Sequence, residues 1–344
     1  MASNHPIHDP ILIGLFAAIV ILMLLLDLGV FNKKSHSISN REALGWSAVW
    51  ISLAMIFSFV VYLMAGPQKF FEFQSAYWIE KALSVDNLFV FILVFKFFDV
   101  ANQNKHKVLF WGIIGALILR AIFIFSGVFF IEMTYLPSMT LGPFNFTLEQ
   151  GQGVIDYGTR TFFRPNIILT LFGIFLVYAG IKSWSAGDED DETDYNQTRG
   201  AKLIRRLFKV TDGYRGDKFF SFENGKRMAT PLLVVVAVIE FTDLLFAVDS
   251  IPAIFAISGD PYILYTSNIF AILGLRSLFF LLDNFIHLFS KLPYGLAFIL
   301  SFIGVKMIIS PFYHIESFYS LLVIAGILTI SVIASLIYPE VKEA

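Results

Sequence analysis

The sequence predicts an all-α polytopic membrane protein of about nine transmembrane helices, with two inverted three-helix repeats and broken helices near the bilayer midplane. Three observations carry this expectation. Apolar runs long enough to cross a hydrocarbon core recur along the chain, three motifs recur in the same order in its two halves, and carboxylates sit inside otherwise apolar segments.

Hydrophobic residues make up 57% of the 344, only 15% are charged, and the mean hydropathy is +0.72. This is far from ordinary soluble usage. The apolar runs cover approximately 10–31, 43–65, 77–98, 108–131, 166–184, 229–256, 263–285, 294–309 and 317–338. The first is expected to stay as a helix, because "MASNHPIHD" supplies no basic n-region and no small-residue cleavage site follows. With the N-terminus outside, the inner loops and tail hold Lys33, Lys34, Arg41, Lys105, Lys107, Lys291, Lys342 and nine basic residues between 199 and 227. The outer loops hold Lys69, Arg160 and Arg164, so the positive-inside rule gives N-out and C-in.

The runs fall into five stretches: 1–66 with the first two spans, 67–184 as one repeat, 185–228 as a charged cytoplasmic linker, 229–309 as a second repeat, and 310–344 with the last span and tail. The linker, with "GDEDDETD" followed by "KLIRRLFK", is expected to be partly disordered and offers a place for a protein partner.

The repeat is read from three pairings. "SVDN" (84–87) has an acid six residues earlier, Glu80, and "AVDS" (247–250) has Asp243 in the same place. "GALILRAIFI" (115–124) matches "AILGLRSLFF" (271–280), aligning Arg120 with Arg276, and "LVYAGIKSW" (176–184) matches "LSFIGVKMI" (300–308), aligning Lys182 with Lys306. The orientation rule makes the third and sixth spans run in opposite directions, so the repeats are inverted, with a site expected between them at the midplane.

Residues six apart on a regular helix are separated by about 240° around the axis. For Glu80 to meet Asp86, or Asp243 to meet Asp249, the helices are expected to unwind beside Ser84, Asn87, Ser250 and Pro252. Glu240 and Asp243, three apart, share a face already. Each carboxylate at mid-membrane costs about 2.5–3.5 kcal/mol on insertion scales, so five within two helices need compensation. Lys81, Arg120, Lys182, Arg276 and Lys306 are expected to pair with the acids and orient them. Ion pairing alone would merely lock helices together, and buried pairs add little net stability.

A divalent cation accounts for the acids better. Glu80, Asp86, Glu240, Asp243 and Asp249, with Asn87 and Ser250, make a hard-oxygen set suited to Mn²⁺, Mg²⁺ or Ca²⁺. There is no cysteine, and the six histidines fall near span ends or in loops, which disfavours zinc, copper and nickel. Asp27, near the inner end of span one, is either a gate acid or a span-end acid in water. No cofactor is expected to be bound permanently; the cation is cargo. The partners expected are the lipid bilayer, a divalent metal ion and a protein at the linker, not nucleic acid. The chain carries no phosphate-binding loop, and no Gly-x-Gly-Asp stretch surrounds Asp86 or Asp249 as an intramembrane protease dyad would want. No enzymatic activity is expected.

"WIEKALSVDNLFVF" (78–91), "KHKVLFWGIIGALILR" (105–120), "IEFTDLLFAVDSIPAIFAISGDPYILYTSNIFAILGLRSLFFLL" (239–282) and "YGLAFILSFIGVKMII" (294–309) resemble the TerC/Alx family of integral membrane proteins, a likeness running from about residue 8 to 338. The resemblance implies Mn²⁺ export across a bacterial inner (plasma) membrane, through the acids Glu80, Asp86, Glu240, Asp243 and Asp249. It also leaves a second reading, a membrane scaffold of a tellurium or metal stress-response complex that transports nothing itself.

Overall fold

The computed structural model describes residues 10–31, 40–148, 161–185, 194–223, 225–285 and 291–338; the side chains of residues 10–12, 24–31, 86, 89, 185, 248, 249 and 283–285 lie outside the described set. Ten helices are described: α1 (Pro10–Phe31), α2 (Asn40–Phe97), α3 (Asn102–Met133), α4 (Ile167–Ser185), α5 (Arg199–Leu207), α6 (Pro231–Phe255), α7 (Pro261–Leu273), α8 (Leu275–Phe285), α9 (Leu292–Ile309) and α10 (Ser317–Ile337). Five short strands accompany them: β1 (Met139–Leu141), β2 (Phe144–Leu148), β3 (Thr161–Phe163), β4 (Phe220–Glu223) and β5 (Lys226–Ala229).

Among the described residues six helices are long and apolar enough to cross a membrane, and seven when α7 and α8, bent by 41°, are taken as one span. At 58 residues α2 would be about 87 Å long if straight, several times what one crossing needs. It is interrupted at Gly66, whose φ of 86° and ψ of 176° leave the helical region. The following Pro67 explains why the break falls there, since a residue before proline is pushed out of the α region and glycine accepts positive φ. The two limbs of α2, 40–65 and 67–97, take the place of the second and third apolar runs.

The loops sort onto two faces. On one, the Glu72 face, Ser258 after α6 donates to Glu72 near the start of α2's second limb (2.6 Å), Ser75 donates to the carbonyl of Ser317 (3.4 Å), and the Phe163 amide donates to the carbonyl of Pro311 (3.1 Å). On the other, the Asp217 face, Tyr214 donates to the carbonyl of Phe98 (2.6 Å), Asn104 to that of Gly216 (3.1 Å), and Lys107 pairs with Asp217 (2.9 Å). The second limb of α2 therefore starts at the face where α6 ends, and the two run in opposite directions.

The segment expected to be a partly disordered linker is folded over its described part. Residues 194–229 form a short 3₁₀ turn, α5 and the β4–β5 antiparallel hairpin, with Thr198 capping α5 through the Ala201 amide. Gly200 lies so close to α6 that a Cβ there would strike the carbonyl of Ala237. The charge runs that suggested disorder masked this docking, in which Ala201 is buried in the core and Ile204, Val210, Tyr214 and Phe219 pack against it. Most of the acidic run, 187–193, lies outside the described residues. On the Glu72 face, β1, β2 and β3 form a small sheet, antiparallel then parallel, and Phe146 and Phe162 pack on Phe312.

Two interfaces are built on small residues. A Cβ on Gly304 of α9 would stand 2.6 Å from the carbonyl oxygen of Gly173 and 2.8 Å from the Val177 amide of α4, and one on Gly180 would stand 2.6 Å from the carbonyl of Ala297. Between α3 and α6, Gly112 meets Ile239, Gly115 meets Glu240 and Gly127 meets Phe255. Without a hydrophobic driving force between helices in lipid, this close backbone approach supplies the packing. Gly180→Ala and Gly304→Ala are each expected to destabilise by about 1–3 kcal/mol through overpacking. Melting curves of the detergent-purified protein check this, and unchanged midpoints would remove the α4–α9 contact as a stabilising one.

Candidate functional site

Glu80 lies on the second limb of α2, Arg120 on α3 and Asp243 on α6, and each is reached only after about 18–20 Å of helix from the Glu72 face. That places all three near the middle of the bundle. Arg120 is fully buried and bridges the two acids: one guanidinium nitrogen donates to Glu80 Oε1 and the other to Asp243 Oδ1 at 3.2 Å. Ser84, one turn beyond Glu80, donates to the same Oε1 at 3.2 Å. The triad thus joins three helices at one point where water is excluded.

The charges do not balance locally. One cation faces two carboxylates, and Glu240, one turn before Asp243, directs its carboxyl against Gly115 so closely that a Cβ there would collide with it. Glu80 Oε2 and Glu240 Oε2 are buried with no hydrogen-bond partner among the described residues. Gly115 is therefore the residue that makes room for Glu240.

The other expected site residues divide. Asn87 and Ser250 are buried at 5% and 1% exposure, on the helices of Glu80 and Asp243. The side chains of Asp27, Asp86 and Asp249 lie outside the described residues. The expected unwinding beside Asp86 and Asp249 does not occur. Both α2 and α6 run through these positions as helix, and α6 continues through Pro252 to Phe255. The breaks occur instead at Gly66 and at Gly274, between α7 and α8. The acids brought together through Arg120, Glu80 and Asp243, come from different helices. Among the described residues no three carboxylate or imidazole side chains come together as a metal-binding group.

The basic residues behave unequally. Lys81 is buried and donates to the carbonyl of Ala271 at 3.2 Å, one of the orphan carbonyls at the end of α7, rather than to an acid. Arg276 is buried in the first turn of α8, 4% exposed. Lys306 is buried on α9 and donates to Ser320 at 2.8 Å. Lys182, its counterpart, is exposed in the last turn of α4. Sequence reasoning passed over Glu72, Ser258, Gly115 and Asn268. Glu72 could have been noticed as a carboxylate in the apolar "KFFEFQ", and Gly115 from the small-residue spacing of "GIIGA". A cavity of about 280 Å³ lies elsewhere, lined by Phe98, Asn196, Arg205, Thr211 and Pro231 at the Asp217 face.

A polytopic helical bundle with a charged triad buried at its centre defines an integral membrane protein with a polar intramembrane site. The model of the Integral membrane protein TerC family matches residues 65–343, and the chain belongs to that family. It is 43% identical over 339 residues to an uncharacterized membrane protein of Myxococcus xanthus, covering 98% of this chain and 95% of the other. It is 40% identical to the Alx protein of Salmonella typhi and 39% identical to that of Escherichia coli (strain K12), each alignment covering 96% of this chain and 95% of the relative. Both relatives are provisionally described as membrane-bound redox modulators. No solved structure matches.

Removing Arg120 would leave two buried carboxylates facing each other. Arg120→Met is expected to destabilise by about 3–5 kcal/mol, and the triple change with Glu80→Gln and Asp243→Asn to recover most of that loss. Thermal unfolding of the purified variants tests this; additive losses in the triple variant would contradict the triad.

Proposed function

We propose that the protein exports a divalent metal cation, Mn²⁺ foremost, by alternating access, with protons as the counter-ion. The observation that carries this reading is the Glu80–Arg120–Asp243 triad, in which excess carboxylate is held at mid-membrane by a single guanidinium. Intramembrane acids facing a bundle interior mark ion and proton paths by default. A hard divalent cation prefers carboxylate oxygens, and its double charge outcompetes one guanidinium for two carboxylates. Arg120 then serves as an internal counter-cation: it holds the acids together when the cargo is absent and yields to the cation. Glu240 and the aspartates Asp86 and Asp249 complete the acidic set.

The same reading takes the two halves as inverted repeats and the spans as nine: α1, the two limbs of α2, α3, α4, α6, the bent α7–α8, α9 and α10. The α4–α9 contact supports it. Shifting α4 numbers by 124 turns Gly180 into Gly304, Gly173 into Ala297 and Val177 into Ser301, so the contact of Gly180 with Ala297 and Ser301 becomes that of Gly304 with Gly173 and Val177. Such exchange is what a two-fold axis in the membrane plane requires. The basic residues of the Asp217 face support an orientation with that face in the cytoplasm of a bacterial inner membrane and with the N-terminus and the Glu72 face outside. With no cysteine among its residues, the chain cannot act on redox state by thiol–disulfide exchange, so any redox effect would follow from the metal it moves.

Reconstitution in liposomes tests the proposal directly. Mn²⁺ flux is expected above that of Mg²⁺, Ca²⁺ and Zn²⁺ and to respond to an imposed pH gradient. Glu80→Gln and Asp243→Asn are each expected to lower it by at least about tenfold, the loss of one charged contact, whereas Lys182→Ala keeps it. Flux of every cation at the level of protein-free vesicles would refute transport.

A further inference from the structure

Between the triad and the Glu72 face the bundle holds three polar side chains that the acids do not use. Tyr77, Ser250 and Asn268 are 0%, 1% and 0% exposed, and the Tyr77 hydroxyl, the Ser250 hydroxyl and both amide atoms of Asn268 have no hydrogen-bond partner among the described residues. An unmet buried polar group costs about 1–3 kcal/mol, so a packing role alone is a poor reason for three of them. Their placement is ordered. Tyr77 precedes Glu80 by three residues and Ser250 follows Asp243 by seven, so each shares the face of the acid on its own helix. Phe73 and Lys81, one turn either side of Tyr77, touch Phe270 and the Ala271 carbonyl of α7, the helix that carries Asn268. Counted from the Glu72 face, Tyr77, Asn268 and Ser250 lie about 14, 10 and 8 Å deep, against about 18 Å for Glu80 and Asp243.

Above them one carboxylate ties the same helices together. Glu72, 5% exposed, accepts from Ser258 Oγ at 2.6 Å, from Lys69 Nζ at 2.8 Å and from Gln68 Nε2 at 3.2 Å. Lys69 also stands 3.4 Å from Asp260, whose carboxylate caps α7 through the amides of Tyr262 and Ile263, and the Asp260 amide donates to Ser258 Oγ at 3.1 Å. The second limb of α2 is thereby fastened to the turn joining α6 and α7, a few residues from the break at Gly66.

We infer that Tyr77, Asn268 and Ser250 line the release half of the cation path as neutral oxygen ligands, and that the Glu72–Ser258 contact is the gate that closes it. The inference rests on the export reading above and goes beyond it by naming a second set of ligands and the latch. Three neutral donors suit a path of release, since they lower the desolvation cost of a divalent ion without holding it as carboxylates would.

Because the chain has no cysteine, a single introduced thiol reports accessibility without background. Asn268→Cys and Ser250→Cys are labelled in proteoliposomes with a membrane-impermeant maleimide applied at the Glu72 face. With the latch intact, labelling is expected to be slow; adding Glu72→Gln or Ser258→Ala is expected to speed it by at least about tenfold, the effect of losing one hydrogen bond to a charged group. Saturating Mn²⁺ is expected to slow labelling in the opened variants. Two positions guard against one thiol variant failing to fold, which elution as a single monodisperse species checks. Equal rates with and without the latch would overturn the gate, and rates indifferent to Mn²⁺ would overturn the ligand role. Neither readout is a flux, so failure of transport and failure of the gate are told apart.

Discussion

Everything in the centre of this bundle depends on one guanidinium shared by two carboxylates. Arg120 is buried completely and cannot lose its proton, so its charge is permanent in a medium that does not tolerate isolated charge. Glu80 and Asp243 pair with it through its two terminal nitrogens and from helices of opposite direction. The consequence is that α2, α3 and α6 cannot separate at this level without exposing an unpaired charge to an apolar interior. The glycines of α3 serve the same end, since Gly112, Gly115 and Gly127 let α6 come close enough for its acids to reach Arg120 and for Glu240 to fit.

That constraint also explains the basic residues around it. A lysine or arginine near a broken or ending helix has an alternative to carboxylates, the carbonyls left without donors. Lys81 takes that course at the end of α7, so the break at Gly274 is held by a neighbouring helix rather than by water. Lys306 finds the hydroxyl of Ser320 on α10. Lys81 and Lys306 are therefore spent on orienting backbone or hydroxyl groups, whereas Arg120 bridges two acids.

The sequence reading recovered what is periodic or local. Apolar runs located the helices, the gap between the runs 43–65 and 77–98 holds the break within α2, and aligned motifs brought Glu80, Asp243 and Arg120 forward as residues of one site. It misjudged what depends on the rotation of one helix against another. Spacing along a single chain suggested that Glu80 must reach Asp86 by unwinding, whereas the partner of Glu80 is on α3 and the helix stays regular. Lys182 and Lys306 occupy equivalent positions in the alignment, yet one is exposed and the other buried, because only α9 has α10 beside it at that level. Glu72 escaped notice because it lies close to a presumed loop, and its significance comes from Ser258, which is 186 residues away.

The contact between α4 and α9 has a mechanical meaning. Side chains that interdigitate must be lifted out of their grooves before two helices can turn, and that barrier fixes their angle. Here Gly173, Gly180, Gly304 and Ala297 bring main chain against main chain, and at one end Trp184 stands edge-on against Tyr294 and Phe298. Such a seam resists separation through many short contacts, and the rings at its end resist sliding. The bundle thus combines a centre pinned by charge with a rim fastened by close backbone approach.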